Sequence, residues 1–207
     1  MQRHEVINSL IHDSKKKYLE IGVQRGVTFR QIKFNEKDGV DPYPILEGNE
    51  IINYKVTSDD FFEKYIQKKY DFIFIDGLHE THQLIKDFKN SYYSLNNKGI
   101  IIFDDILPQN KYEQTIPVSN VEGPCTGDVW KLIYYIIINK DKFNLQKLSS
   151  FINMSSDSRG MLLMEFNIIQ ENNVFFQDIN NLDLSRYYTY DNDFNDYKEL
   201  LFTLRVD

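Results

Sequence analysis

Three acids stand at the ends of two short apolar runs. Asp76 closes YDFIFID, and Asp104 and Asp105 close GIIIFDD. Between the runs, residues 79–95 have helical character. Apolar run, helix, apolar run reads as two parallel strands joined by a crossover helix. The carboxyl ends of such strands open on one crevice, so Asp76, Asp104 and Asp105 can meet there. Three carboxylates suit a hard ion such as Mg²⁺, which takes oxygen ligands and keeps waters. A hydroxyl bound to such an ion loses its proton more readily. The competing use of Asp104 and Asp105 is to tie the following loop to neighbouring N–H groups. His79, three positions after Asp76, titrates near neutrality and is the candidate proton acceptor. Its competing use is a contact at the helix start with no proton role. His82, one helical turn further on, reads as a solvated residue or a substrate contact.

The acids need a partner site, and the upstream chain offers one. Residues 18–23 form a short apolar strand with Glu20 in its interior. Gly22 and Gly26 follow at the spacing G-x-x-x-G, and Thr28 opens a helical stretch over 28–33. A strand that ends in a glycine turn and feeds a helix brings backbone N–H groups close to a ligand. A plain tight turn would use the same residues. The spacing is not G-x-G-x-x-G, which disfavours a nicotinamide dehydrogenase. A second, very short strand over 39–41 ends in Asp41-Pro42. An acid at that strand tip is where a ribose is gripped in open α/β sheets, although an Asp that begins a turn looks the same. Residues 51–56 read as a third strand. Thr57 or Ser58 then caps a helix that starts at Asp59.

Repeated strand–helix units with continuously apolar strands predict an α/β doubly wound, mostly parallel sheet. Residues 143–151 and 160–166 flank a polar turn and predict an antiparallel hairpin at the sheet edge. The 207 residues suffice for one domain with a sizeable core. Within it, 1–14 is an N-terminal helix, 106–127 a proline-bearing lid loop and 168–207 a Tyr-rich C-terminal cap. Trp130 is expected to pack in the core, with packing against the lid as the competing use.

Net charge is −7, and the longest basic run stops at Lys15–Lys17, which argues against a nucleic-acid partner. The single cysteine, Cys125, permits no internal disulfide and fits a reducing compartment. No run approaches membrane-spanning length and no leader is evident, so a cytoplasmic protein without a membrane partner is expected.

In order, the chain presents YLEIGVQRGVTF, GVDPYP, TSDDFF, YDFIFIDGLHE, NNKGIIIFDD and GDVWK. Over residues 15–166 this resembles a class I S-adenosylmethionine-dependent methyltransferase. More narrowly, it resembles a branch of small O-methyltransferases associated with glycan and natural-product sugars. The resemblance implies that Glu20, Gly22 and Gly26 shape the loop under the methionine part of the cofactor, with Thr28 near its carboxylate. It implies that Asp41 holds the ribose, that Ser58 and Asp59 lie near the adenine, and that Asp76 faces both sulfonium and acceptor. Macrocin-type and catechol-type relatives hold magnesium at a similar pair of strand ends, which implies a metal at Asp76, Asp104 and Asp105. In the catechol type a lysine base stands at the position of His79. Many relatives have His-Asp where this chain has Phe103-Asp104-Asp105, and they work without metal or bind it differently.

The expected activity is Mg-assisted O-methylation of a sugar or nucleotide-linked sugar in glycan biosynthesis, by a protein that could pair as a homodimer. The alternatives are a metal-independent small-molecule methyltransferase using His79, and a non-catalytic module that binds S-adenosylmethionine.

Overall fold

The computed structural model describes residues 2–11, 17–45, 52–152, 159–179 and 182–206. Part of the basic run, Ile51, and most of the turn between the two final strands lie outside them. A six-stranded sheet runs in the order β2-β1-β3-β4-β6-β5. Strands β1 (Lys17–Ile21), β2 (Glu36–Val40), β3 (Tyr70–Ile75) and β4 (Leu95–Phe103) are parallel to one another. Strand β6 (Met161–Phe166) lies antiparallel to β4, and β5 (Leu145–Phe151) antiparallel to β6. This is the expected parallel sheet with an antiparallel edge hairpin.

Alternation along each strand divides the core in two. Phe72, Phe74, Ile100 and Ile102 join Tyr18, Ile32 and Phe34 on one face. The N-terminal helix α1 (Arg3–Ser9) closes that face with Val6 and Ile7. Ile73, Ile75, Ile101 and Phe103 point to the opposite face. There they meet Leu84, Phe88 and Tyr92 of α4 (Thr81–Tyr93), and Trp130, Ile133 and Ile136 of α5 (Val129–Ile138). The start of α4 is tied to the residue before α5: Thr81 N–H donates to Asp128 Oδ1 at 2.7 Å, and Thr81 Oγ1 to the Asp128 carbonyl at 2.7 Å.

Residues 52–56 do not form the expected third strand. Tyr54 alone bridges to Val40, by two backbone bonds: Tyr54 N–H donates to Gly39 O and Asp41 N–H to Tyr54 O. The next ladder position is taken by a side chain, because Gly39 N–H donates to Asn53 Oδ1 at 3.0 Å. The Asn side chain competes with a regular ladder, and Thr57 then caps the turn Ser58–Asp60 through its hydroxyl.

Within the C-terminal segment 168–207, the longest helix is α8 (Tyr190–Thr203). The short helices α6 (Val174–Ile179) and α7 (Leu184–Tyr187) precede it. Beyond α8 the chain returns to the outer edge of β5. Ser150 N–H donates to Leu204 O, and Val206 N–H donates to Ser150 O, so the exposed edge is partly paired.

Phe88 packs edge-on against Phe103 and Phe175 and also touches Phe143 and Phe176. It is the aromatic centre on which α4, β4 and the C-terminal helices meet. Phe88→Ala should cost about 3–5 kcal/mol in urea-denaturation free energy, as expected for a fully buried Phe. A loss under about 1 kcal/mol would show that this cluster is not a single packed unit.

Candidate active site

The alternation that builds the core also sorts the acids. Glu20 follows Tyr18 at a spacing of two, and Asp104 follows Ile100 and Ile102, so both fall on the face covered by α1. Asp76 stands just beyond β3, between them. Strand pairing brings these ends level: Ile75 lies opposite Phe103 and Asp104 N–H donates to the Ile75 carbonyl.

Glu20 is buried, and its Oε2 accepts from the Tyr18 hydroxyl at 2.6 Å. Burial pushes its carboxyl up to about 8; the Tyr18 bond opposes the rise and the charge of Asp76 adds to it. Asp104 is buried as well, and burial together with Asp76 and Asp105 pushes it well above the usual range, while Arg3 pulls it down. Arg3, from the first turn of α1, pairs its Nε with Asp104 Oδ2 and donates from Nη2 to Asp105 Oδ1 at 3.2 Å. Burial works against the guanidinium charge, but the surrounding acids outweigh it and hold Arg3 above its ordinary range.

Asp105 leaves the strand with φ 51, a left-handed conformation that a non-glycine residue adopts at a cost. Its carboxylate spans Arg3 of α1 on one side and His79 on the other. Asp105 Oδ2 lies 3.4 Å from His79 Nδ1, and Asp76 Oδ1 lies 3.3 Å from His79 Nε2. His79 Nδ1 is also 3.2 Å from the Cys125 carbonyl. Burial alone would push His79 down. The bonds to Asp76 and Cys125, with the charges of Asp105 and Asp76, overcome it and hold the imidazole well above its ordinary value. Asp76, His79 and Asp105 each offer a ligand atom, and these atoms lie within 4.8 Å of one another. Asp104 is not among them.

Two glycines set the walls. Gly22 has φ 88, and a Cβ there would lie 1.9 Å from the Asp76 carbonyl oxygen. The turn after β1 therefore lies directly on the residue that ends β3. Gly127 has φ 52, and a Cβ would lie 1.6 Å from the His79 carbonyl oxygen. The end of the lid thus presses onto His79.

Most of the remaining candidates lie just beyond the ends of β1 and β2. Asp41 Oδ2 accepts from Gln24 N–H and Oδ1 from Tyr43 N–H, both at 2.7 Å. Each oxygen keeps a lone pair for a further donor. Gly26, with φ 69, caps the short helix α2 (Val27–Gln31), which carries Thr28 in its first turn. Ser58 and Asp59 face α4 instead: Gln83 Nε2 reaches Ser58 Oγ, Asp59 Oδ1 and Asp87 Oδ1, and Lys86 pairs with Asp59. Asp87 is buried among them, and burial pushes it up to about 6. The exposed His82 lies 3.6 Å from Glu80.

Arg3, Gln83 and Asp87 escaped the sequence reading. Nothing in RHEVIN marks Arg3 as more than a helix-surface cation, since its partners lie some hundred positions away. Asp87 did carry a signal, an acid among the apolar positions of α4. The lid is anchored by another such pair: Glu113 accepts from Arg159 Nη2 at 3.0 Å and from Arg159 Nε at 3.2 Å. Its carbonyl accepts from the N–H groups of Thr126 and Gly127.

Residues 19–106 match a family model described as a methyltransferase domain. The fold is that of class I S-adenosylmethionine-dependent methyltransferases. An O-methyltransferase from Bacillus cereus, solved with S-adenosylhomocysteine, is 13% identical with TM-score 0.51, over 78% of either chain. The O-methyltransferase TomG from Streptomyces achromogenes, solved with S-adenosylmethionine, is 12% identical with TM-score 0.53, over 80% of this chain and 78% of its own. The N-methyltransferase NodS from Bradyrhizobium japonicum is 14% identical with TM-score 0.51, over 81% of this chain and 95% of its own. No curated protein matches the sequence significantly. Among the described residues, no helix is long and apolar enough to cross a membrane.

The buried Glu20 makes a pH-dependent stability. Its carboxyl holds a proton in the folded protein up to about pH 8, against 4.5 for the ordinary group. The folded state therefore binds more protons across that window, and this contribution is complete below 4.5 and lost as pH rises through about 8. Glu20→Gln keeps an acceptor for Tyr18 and cannot ionise. Between pH 6 and 8 the unfolding free energy of the cofactor-free protein should fall by about 2 kcal/mol more in wild type than in Glu20→Gln. Parallel pH profiles would remove Glu20 as a titrating group.

Proposed function

We propose that this methyltransferase transfers the methyl group of S-adenosylmethionine to a hydroxyl of a sugar or nucleotide-linked sugar, assisted by a divalent ion, Mg²⁺. The observation that carries the reading is the convergence of Asp76, His79 and Asp105 beside the glycine turn that follows Glu20.

The residues fit the cofactor. Asp41, steadied by two backbone N–H groups, presents free lone pairs suited to two ribose hydroxyls. Glu20, Gly22, Gly26 and Thr28 would surround the methionine part, and Ser58 and Asp59 the adenine. Asp76 would stand between the sulfonium and the acceptor.

The donor set also fits a divalent ion. Asp76 and Asp105 supply oxygens, and His79 a nitrogen within the same 4.8 Å. Mg²⁺ is commonly held by one or two carboxylates with waters completing its shell. When bound, such an ion lowers the pKa of a coordinated hydroxyl. Asp76 and Asp105 would orient the acceptor by holding that ion. As a ligand His79 would have to be neutral, whereas the two acids hold the free imidazole protonated, so it would accept the hydroxyl proton only in a metal-free reaction and only after giving up its own. The lid residues Cys125 and Gly127, packed on His79, fix the ring and restrict water.

A groove of about 540 Å³ runs between Leu107–Gln109, two residues beyond Asp105, and one side of α8. Tyr190 and Phe194 stack there at 4.2 Å and 15°. Asp191, Asn195, Lys198 and Gln109 add polar heads around them. Aromatic surface for the C–H face of a pyranose, ringed by hydroxyl-binding groups, supports a sugar acceptor.

One observation favours a second reading. Arg3 and His79 already set two cations against Asp76, Asp104 and Asp105, so the same site could work without metal. The deciding experiment is transfer of labelled methyl to a panel of sugars and nucleotide-sugars, with and without chelator. Loss of transfer on chelation and recovery with Mg²⁺ are expected; undiminished transfer in chelator would move the mechanism to His79 alone. Asp41→Ala should weaken S-adenosylmethionine binding by roughly 1–3 kcal/mol in calorimetry, and unchanged affinity would take Asp41 out of the ribose site. Tyr190→Ala should raise the acceptor KM well above its effect on kcat.

A further inference from the structure

We infer that Arg3 is a positioning residue that takes Asp104 out of the metal's ligand set, leaving a divalent ion only Asp76, Asp105 and His79. This rests on the ion-assisted reading above and concerns which acids serve it.

The sequence presents Asp104 and Asp105 as equivalent neighbours. The structure separates them by backbone conformation. Asp104 keeps the strand's alternation and enters the α1 face, where its carboxylate is buried. Its charged partner is the Arg3 guanidinium. A buried carboxylate with no counter-charge costs several kcal/mol, so the pair is a requirement of burying Asp104 at all. Asp105 turns left-handed, and its carboxylate lies between Arg3 and His79.

The same guanidinium then divides the oxygens of Asp105. Nη2 takes Oδ1, and Oδ2 is left facing His79 and Asp76. The planar fork of arginine suits this double hold, because Nε and Nη2 point at two acids at once; a lysine ammonium would offer no such fixed pair. Helix α1 cannot slide to release the grip without uncovering Val6 and Ile7, both completely buried. The guanidinium thus performs for Asp104 the charge balance a metal would otherwise supply, and its own charge opposes a divalent ion placed beside it.

The test uses the full chain with Mn²⁺ as probe, its affinity read by titration calorimetry and by loss of the free-ion paramagnetic resonance signal. Asp104→Asn, with Arg3 intact, should leave the Mn²⁺ Kd within about two-fold of wild type, less than 0.5 kcal/mol. Arg3→Gln frees Asp104 and should tighten Mn²⁺ by about ten-fold or more. Adding Asp104→Asn to Arg3→Gln should reverse that gain. Binding by Arg3→Gln where wild type binds none supports the inference in the same way. The inference is overturned by a ten-fold loss in Asp104→Asn, by an unchanged Kd in a folded Arg3→Gln, or by no Mn²⁺ binding in any variant. If Arg3→Gln does not fold, the Asp104→Asn result alone decides. Methyl transfer is a separate readout: expected Mn²⁺ affinities without transfer to any sugar would sink the proposed reaction and leave the role of Arg3 standing.

Discussion

The organising constraint is electrostatic. Parallel strands with matched registers bring their last residues to one level, and here those residues are acids. Glu20, Asp76, Asp104 and Asp105 crowd one edge of the sheet, partly in a low-dielectric interior where like charges cannot all ionise freely. The fold answers in three ways. One acid, Glu20, tends to keep its proton. One, Asp104, receives a guanidinium from a helix at the opposite end of the motif. Two, Asp76 and Asp105, share an imidazole, and the lid that steadies it through Cys125 and Gly127 is itself tethered by Glu113 and Arg159. The Arg3 contacts of α1, the loop contacts to His79 and the left-handed turn at Asp105 all gather where this negative charge is placed.

The sequence was most informative where local pattern and tertiary role coincide. Residues 70–105 read directly as strand, helix and strand, because the stretches 72–75 of β3 and 100–103 of β4 are buried and wholly apolar. The glycine turn after β1 was legible for the same local reason, since its conformation needs glycine wherever the chain is going. The edge hairpin followed from two apolar runs around a polar turn. Legibility failed where the determinant was remote. Residues 52–56 have strand-like composition, yet a side-chain acceptor from Asn53 displaces the ladder after a single bridge. Asp104 and Asp105 look interchangeable, and only the structure shows that Arg3 holds both while Asp105 alone also faces His79. Arg3 has no motif at all; its role exists only once α1 is docked.

The methyltransferase domain match ends at residue 106, and the remainder of the chain does two jobs. The lid supplies contacts to His79. The C-terminal helix supplies one wall of the groove beyond Asp105, and it is attached to the site directly, because the Tyr197 hydroxyl donates to the Ile106 carbonyl at 2.7 Å. The groove wall is thus physically continuous with the acidic strand end, even though the two are coded almost a hundred residues apart.

That junction also contains the chain's one tryptophan. Trp130 is fully buried; its indole N–H donates to Gln114 of the lid, and its ring meets Phe194 edge-on with Tyr190 and Tyr197 alongside. Lid, α5 and α8 therefore share a single tryptophan fluorophore. Undocking of either the lid or the last helix would wet that indole and shift its emission to longer wavelength. The protein carries its own optical gauge of this packing, readable in solution without a label and without knowing the acceptor.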